Sequence, residues 1–330
     1  MNDLGMPERS QKCLIVARNS TDIRATLLHA LEALGKEIVV FSDREQSSKT
    51  PEQDLIEFLN DNPFEYVLVV GGDGTLRLVT HALQMLKLAS PVLLVPSGTA
   101  NDFARTLGDF IAAHEELSSA MADRICADVA RVTLANEHGD AGQPSGSGES
   151  SPRVAHFINM MVIGPGAENS MTISSDLKQV VGSAAYLKQL YHSMVDAGSF
   201  AVDVSAIKAD DSTAVNQRYH CSAIFVANGR TCGGGYCVVP NADPSDGMLD
   251  VVIVKGITMW EKLKLAASFM SDQHLASEST EYFRVREIRL SFDAPQAVTL
   301  DGECIQTLHV TIKAEHQCQS MGVFQIDQRV

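Results

Sequence analysis

The 330-residue sequence has no hydrophobic run of the length a membrane span requires. Its apolar stretches, such as Tyr66 to Val70 and Val92 to Val95, fall far short of roughly 18 residues, and Asp250 interrupts Met248 to Val254. The opening MNDLGMPERSQK lacks an apolar segment behind a basic one, which argues against a signal peptide and leads us to expect a cytoplasmic protein. Seven cysteines, an odd number with no CxxC spacing, fit neither a disulfide framework nor a zinc site, and are expected to act as small hydrophobes. Positive charge is scarce. A formal net charge of −15 repels polyanions, which speaks against nucleic-acid binding and against electrostatic anchoring on anionic lipid. Internal repeats are also missing.

What is there reads as a globular enzyme, with 45% hydrophobic and 20% charged residues. The length suffices for two domains, since single cores stop growing at roughly 250 to 300 residues, so two lobes with a cleft between them are expected. The first third alternates strand patterns (Cys13 to Ala17, Glu37 to Phe41, Tyr66 to Val70, Val92 to Val95) with helical ones (Thr21 to Leu34, Pro51 to Asn60, Leu76 to Leu88). That alternation predicts an α/β domain over residues 1–126 with a parallel sheet, whose ligands gather at the carboxyl ends of the strands. Residues from about 315 to 330 could pack back on it. From Asp128 onward strands dominate: Val129 to Ala135, Val154 to Met161, Phe200 to Ile207, Tyr219 to Ala227, Val251 to Val254, Tyr282 to Phe292 and Leu308 to Lys313. They predict a C-terminal antiparallel β-sandwich domain over residues 127–330, with a Gly-, Ser- and Pro-rich loop at 136–153.

Two turns carry chemistry. Gly71-Gly72-Asp73-Gly74-Thr75 leaves a buried-type strand and opens a helix, so its glycines allow close backbone approach to a phosphate while the helix N-terminus adds favourable partial charge. A carboxylate beside phosphates is repelled unless it holds a metal ion, a ribose hydroxyl or a substrate proton; the alternative for Asp73 is a helix cap. The second turn, Pro96-Ser97-Gly98-Thr99-Ala100-Asn101-Asp102-Phe103-Ala104-Arg105, offers Ser97, Thr99 and Asn101 as caps or anion donors.

These strings resemble the diacylglycerol kinase catalytic-domain family, which includes bacterial diacylglycerol and phosphatidylglycerol kinases and the sphingosine and ceramide kinases. The resemblance continues through Asp128 in CADVARV, Asn228-Gly229 followed by Gly233-Gly234-Gly235, the run Pro240 to Val251, and Asp301-Gly302-Glu303. It implies a magnesium- and ATP-dependent lipid kinase with a nucleotide-binding first domain and a lipid-substrate second domain. Gly71, Gly72, Asp73, Gly74 and Thr75, with Ser97, Gly98 and Thr99, would hold the ATP phosphates, helped by Ser42 and Asn19 at neighbouring strand ends. Asp243, Asp246 and the carbonyl of Met248 would hold magnesium; these hard oxygen donors suit that ion, although an Asx-turn cluster is the other reading of this turn. Asp301 matches the proposed general base, with Glu303 and Asp128 in its polar network and Asp73 as a rival base.

Departures from the family pattern bound these expectations. Leu76-Arg77-Leu78 stands where many members have Leu-Asn-Glu, replacing an expected polar contact to nucleotide by a cation and an apolar group. The loop after the first strand is Arg18-Asn19-Ser20, and Ser42 replaces a Thr. Residues Ile257 to Ser271 have helical spacing and suit either transient docking at a membrane interface or a core-covering role, which the pattern favours. A glycerolipid acceptor such as diacylglycerol is the leading reading; a sphingoid base, NAD, or a nucleotide-binding regulator without turnover are the alternatives.

Overall fold

A computed structural model describes residues 12–17, 37–42, 49–62, 64–135, 152–164, 198–210, 212–256 and 274–325. They fall into two units: the described part of Met1–Ala127 together with that of Cys318–Val330, and the described part of Asp128–Gln317.

In the first unit the apolar runs KCLIVA, YVLVVG and VLLVP form strands β1 (Lys12–Ala17), β3 (Tyr66–Gly71) and β4 (Val92–Pro96), joined by β2 (Glu37–Ser42). The pairing order is β2-β1-β3-β4, all parallel, and residues Met321 to Val323 near the chain end add a parallel strand beside β4. Leu14, Ile15, Val67, Leu68, Val69 and Leu93 are fully buried, as expected of parallel strands with no solvated face. Helix α1 (Pro51–Asp61) starts at a capping box: Thr50 accepts from the amide of Gln53, whose side chain accepts from the amide of Thr50. Helix α2 (Asp73–Leu86) follows β3 directly, buries Leu76, Val79 and Leu83, and ends at Lys87 in the left-handed conformation. The short helices α3 (Asp102–Leu107) and α4 (Leu117–Ala122) and the two-residue strand β5 (Ala113–His114) complete the unit. Because the strands are parallel, their carboxyl ends at Ala17, Ser42, Gly71 and Pro96 lie along one edge.

The second unit is antiparallel. Its strands are β6 (Ile125–Ala135), β7 (Arg153–Phe157), β8 (Met160–Ile163), β9 (Phe200–Lys208), β10 (Ala214–Ala227), the small hairpin β11 (Thr231–Cys232) and β12 (Tyr236–Cys237), β13 (Leu249–Lys255), β14 (Thr280–Leu300) and β15 (Glu303–Phe324), whose last residues join the first unit. Strands β13, β10, β8, β14 and β15 follow one another in the sheet; β13 also pairs with β14, and β9 bridges β10 and β14. Phe157, Phe200, Ile224, Val251, Ile288, Leu290, Val298 and Ile312 belong to one buried cluster.

Two strand expectations change. The predicted strand Val154 to Met161 is broken into β7 and β8, because the amides of Ile158, Asn159 and Met160 turn to the Asp301 carboxylate. Strands β14 and β15 span 21 and 22 residues, well beyond the predicted Tyr282 to Phe292 and Leu308 to Lys313. The polar stretch after Ser291 is a register shift within the ladder rather than its end. Thr21 to Leu34, Asn19, residues 136–151 of the Gly/Ser/Pro loop and Ile257 to Ser271 lie outside the described residues.

Candidate active site

The two glycine turns of the first unit meet. Gly71 and Gly72 leave β3 and Ser97 and Gly98 leave β4; the Ser97 amide donates to the Gly71 carbonyl at 3.0 Å. A Cβ on Gly98 would stand 2.4 Å from the Cα of Gly72 and 2.9 Å from Asn101 Oδ1, so the two backbones touch where only glycine fits. A Cβ on Gly71 would meet the Thr75 hydroxyl at 2.5 Å, which places buried Thr75 behind the turn. Gly74 is different: it is exposed, and a Cβ there would meet nothing within 4 Å. Ser97 and Thr99 are exposed on the neighbouring turn. Asn101 takes a left-handed conformation (φ 51°), and its Nδ2 donates to the Gly98 carbonyl at 2.7 Å.

Asp73 joins these turns. Its carboxylate accepts from the amides of Asp102 (3.0 Å) and Phe103 (2.9 Å), capping α3 rather than its own helix. Burial pushes its carboxyl above the ordinary range, against the opposing effect of the two amides. Arg77, the cation that departs from the family pattern, is buried on α2 and donates to Glu52 of α1 at 2.8 Å. It faces that helix, which explains how the turn tolerates it.

In the second unit Asp301 and Gly302 form the two-residue turn between β14 and β15, both at positive φ (45° and 97°), as an Asp-Gly hairpin turn requires. The Asp301 carboxylate points into a set of backbone donors. Oδ2 accepts from Ile158 at 2.7 Å; Oδ1 accepts from Met160 at 2.8 Å and Asn159 at 3.1 Å. Its own amide donates to the Met160 carbonyl. Glu303 opens β15 opposite Leu300. Asn228, which the sequence placed in the family pattern without a role, donates to the carbonyls of Ile158 (2.7 Å) and Asp128 (3.0 Å). It thereby links Asp128 to the Asp301 clamp through backbone, without direct contact between the two carboxylates in that chain of bonds.

The fully buried Asp128 carboxylate serves the Asp243 to Met248 turn. Oδ2 accepts from the Gly247 amide at 2.6 Å, while Oδ1 accepts from the Gln317 amide at 2.5 Å and sits 2.8 Å from His316 Nδ1. Within the turn, Asp243 accepts from both the amide and the hydroxyl of Ser245, and Asp246 Oδ1 accepts from the Met248 amide at 2.9 Å. Asp246 Oδ2 is paired with Arg284. Burial raises the Asp246 carboxyl; Arg284 opposes that shift, and the nearby Asp243 and Asp128 charges add to it. No three His, Cys, Asp or Glu side chains among the described residues converge as metal ligands. By the chemistry of its donors the turn nevertheless fits magnesium: two carboxylates on one turn, the charge of Asp243 raising the Asp246 carboxyl, suit an ion that binds through one or two carboxylates and keeps several waters.

Beside this turn, Asp250 lies at the end of the run that carries the resemblance, whereas its neighbours Tyr282 and Arg284 carry no distinctive sequence signal. Asp250 is buried and accepts from the Tyr282 hydroxyl at 2.6 Å; burial pushes its carboxyl up to about 6, against the opposing effects of Tyr282 and Arg284. Arg284 lies directly across the ladder from Asp250.

The chain matches two domain families in succession: the diacylglycerol kinase catalytic domain over residues 12–132 and the YegS C-terminal NAD kinase beta sandwich-like domain over residues 167–323. A Pseudomonas putida protein named probable lipid kinase YegS-like is 31% identical over 58% of this chain. The Bacillus subtilis diacylglycerol kinase is 25% identical over 73% of this chain and 71% of its own. The match covers only 56% of the Pseudomonas protein's length. A crystallised diacylglycerol kinase of Bacillus anthracis has the same fold, with a TM-score of 0.59 at 19% identity over 96% of this chain and 97% of that one. Another Bacillus anthracis structure superposes with a TM-score of 0.67 at 20% identity over 97% of this chain and 98% of its own. Its two turns and its Asp243 to Met248 loop thus stand in a chain that is similar, in succession, to the diacylglycerol kinase catalytic domain and the YegS C-terminal domain.

Proposed function

We propose that this protein is a magnesium-dependent kinase that transfers the γ-phosphoryl group of ATP to a lipid hydroxyl, with diacylglycerol or a related glycerolipid as acceptor. The observation that carries the reading is the backbone contact of Gly72 with Gly98 at adjacent parallel strand ends, beside open space at Gly74. Two βα turns fixed in this way put the Gly71–Gly74 turn at the N-terminus of α2 beside the exposed Ser97 and Thr99, so both can serve one polyanionic ligand. Gly71, Gly72, Gly74, Ser97, Gly98 and Thr99 hold the phosphates, Thr75 backs the turn, and Ser42 ends a strand at the same edge; Asn19 is assigned to the nucleotide by the family resemblance alone. Asp73 keeps the turns in register by capping α3.

In the transfer the lipid oxygen bonds to the γ-phosphorus, the bond to the β,γ-bridging oxygen breaks, and ADP leaves with those electrons. Asp301 accepts the hydroxyl proton, with Glu303 and Asp128 in its surroundings. A carboxylate can serve as this acceptor because proton loss comes late in such reactions. Asp243, Asp246 and the Met248 carbonyl would hold magnesium, which supplies neutralising charge for phosphate when bound. Among the described residues no helix is long and apolar enough to cross a membrane. With a net charge of −15, the enzyme works from the cytoplasm and meets the bilayer transiently through apolar contact. The YegS domain's likeness to NAD kinase sandwiches favours NAD as a second acceptor to test. The test is purified protein with labelled ATP, magnesium and a panel of micellar lipids with NAD included: label on a glycerolipid supports the reading, and label on NAD alone overturns it.

A further inference from the structure

The turn from Asp243 to Met248 carries its own cation. Arg284 projects from the middle of β14, and its Nη2 donates to Asp246 Oδ2, one of the two carboxylates assigned above to magnesium. Its Nη1 lies 3.7 Å from Asp210 Oδ1. Asp250, across the ladder, is held separately by Tyr282. Three aspartates thus surround one guanidinium, and they differ in what they can do. Asp250 is buried and committed to Tyr282, whereas Asp210 is 63% exposed and offers Arg284 a second partner at the solvent edge. The Arg284 and Asp246 side chains are 32% and 26% exposed, so a hydrated ion has access to the pair. Asp246 Oδ1 stays with the Met248 amide, which keeps the turn folded whichever cation takes Oδ2.

We propose that Arg284 is the resident counter-cation of this turn: it holds Asp246 while no metal is bound and must release Oδ2, falling back on Asp210, before a divalent cation takes that oxygen. Arg284 is therefore a positioning residue that lowers metal affinity and stabilises the metal-free turn. This inference rests on the assignment of Asp243, Asp246 and Met248 to a metal. It also moves the metal dependence of the protein to a higher metal concentration than two unpaired aspartates would give, since each binding event displaces a charge already in place.

Titration of the full chain with Mn²⁺, without nucleotide or lipid, tests it by counting free hexaaqua Mn²⁺ in the electron paramagnetic resonance signal. Arg284→Gln should bind Mn²⁺ about threefold to tenfold more tightly than the unsubstituted chain, the modest factor expected for a partly exposed pair. Its melting temperature without metal should fall below that of the unsubstituted chain, and saturating Mn²⁺ should close the gap. Equal or weaker Mn²⁺ affinity in Arg284→Gln overturns the proposal. If that variant does not fold, Arg284→Lys, with one ammonium group in place of the planar fork, should still bind more tightly, and affinity at or below the unsubstituted value overturns it. An Asp246→Asn control separates the two readings. Affinity lost in Asp246→Asn but unchanged in Arg284→Gln removes only the role of Arg284, whereas affinity retained in Asp246→Asn removes the metal assignment and this inference with it.

Discussion

Gly74 and Gly98 stand on facing turns, and replacing each by alanine separates a glycine needed by the fold from one needed by the ligand. In Gly98→Ala the new methyl would lie 2.4 Å from Gly72 Cα and 2.8 Å from Gly72 N, so two backbone turns must part. Overpacking of this kind costs about 1 to 3 kcal/mol, and several degrees of melting temperature for a unit of this size. In Gly74→Ala the methyl meets nothing within 4 Å, and alanine at a helical position is favoured over glycine by up to about 1 kcal/mol. The fold should therefore be unchanged or slightly more stable. If phosphates approach the turn at this open face, the methyl occupies their path, and ATP affinity should fall at least about tenfold, equivalent to about 1.4 kcal/mol. Differential scanning fluorimetry reads the first quantity and isothermal calorimetry with magnesium and ATP the second. A Gly74→Ala protein that binds ATP as tightly as the unsubstituted chain would refute the assignment of this turn to phosphate.

Other substitutions probe the groups around it. Asp301→Asn places an amide nitrogen among the donors from Ile158, Asn159 and Met160, so stability should fall by about 1 to 3 kcal/mol in urea unfolding, alongside any loss of transfer. An unchanged unfolding midpoint would contradict the clamp. Asp250 has its folded carboxyl raised from 3.8 to about 6, so the stability it contributes is present below about pH 4 and is lost as pH rises through about 6. Asp250→Asn cannot ionise and still accepts from Tyr282; relative to the unsubstituted chain it should gain about 1 to 3 kcal/mol between pH 5 and pH 8, and a pH-independent gap would contradict the burial argument. Arg77→Leu leaves Glu52 unpaired and should lower stability by about 1 to 3 kcal/mol without weakening ATP binding, with part of the loss recovered when Glu52→Gln is added.

The sequence carried the parallel strands of the first unit because their runs are apolar on both faces, and both glycine turns because a strand pattern stops and a helix pattern starts at each. The Asp301-Gly302 pair, which takes the two positive φ values of a tight hairpin turn, entered only through the family resemblance, because the strand patterns on either side of it stop at Phe292 and resume at Leu308. The sequence could not tell that Asp73 caps α3, since the amides it meets lie 29 and 30 residues further along the chain. For the same reason Arg77 read as a change in a nucleotide contact, although its partner is on α1, 25 residues earlier. The break after Phe157 was hidden in an apolar run, because what interrupts the ladder is a carboxylate 141 to 143 residues away. Arg284 in FRVREIRL looks like any exposed position of an alternating strand; only the pairing of β13 with β14 brings it to Asp246 and Asp250.

The central claim is transfer of phosphate from ATP to a lipid hydroxyl at the paired turns. It is tested most directly by following labelled γ-phosphate from magnesium and ATP into micellar diacylglycerol, with the unsubstituted protein and Gly74→Ala side by side. The account predicts labelled phosphatidic acid from the first and a severe loss in the second at equal folded concentration. Label appearing only on NAD, or no labelled lipid from any glycerolipid or sphingoid base while ATP is bound, would contradict it.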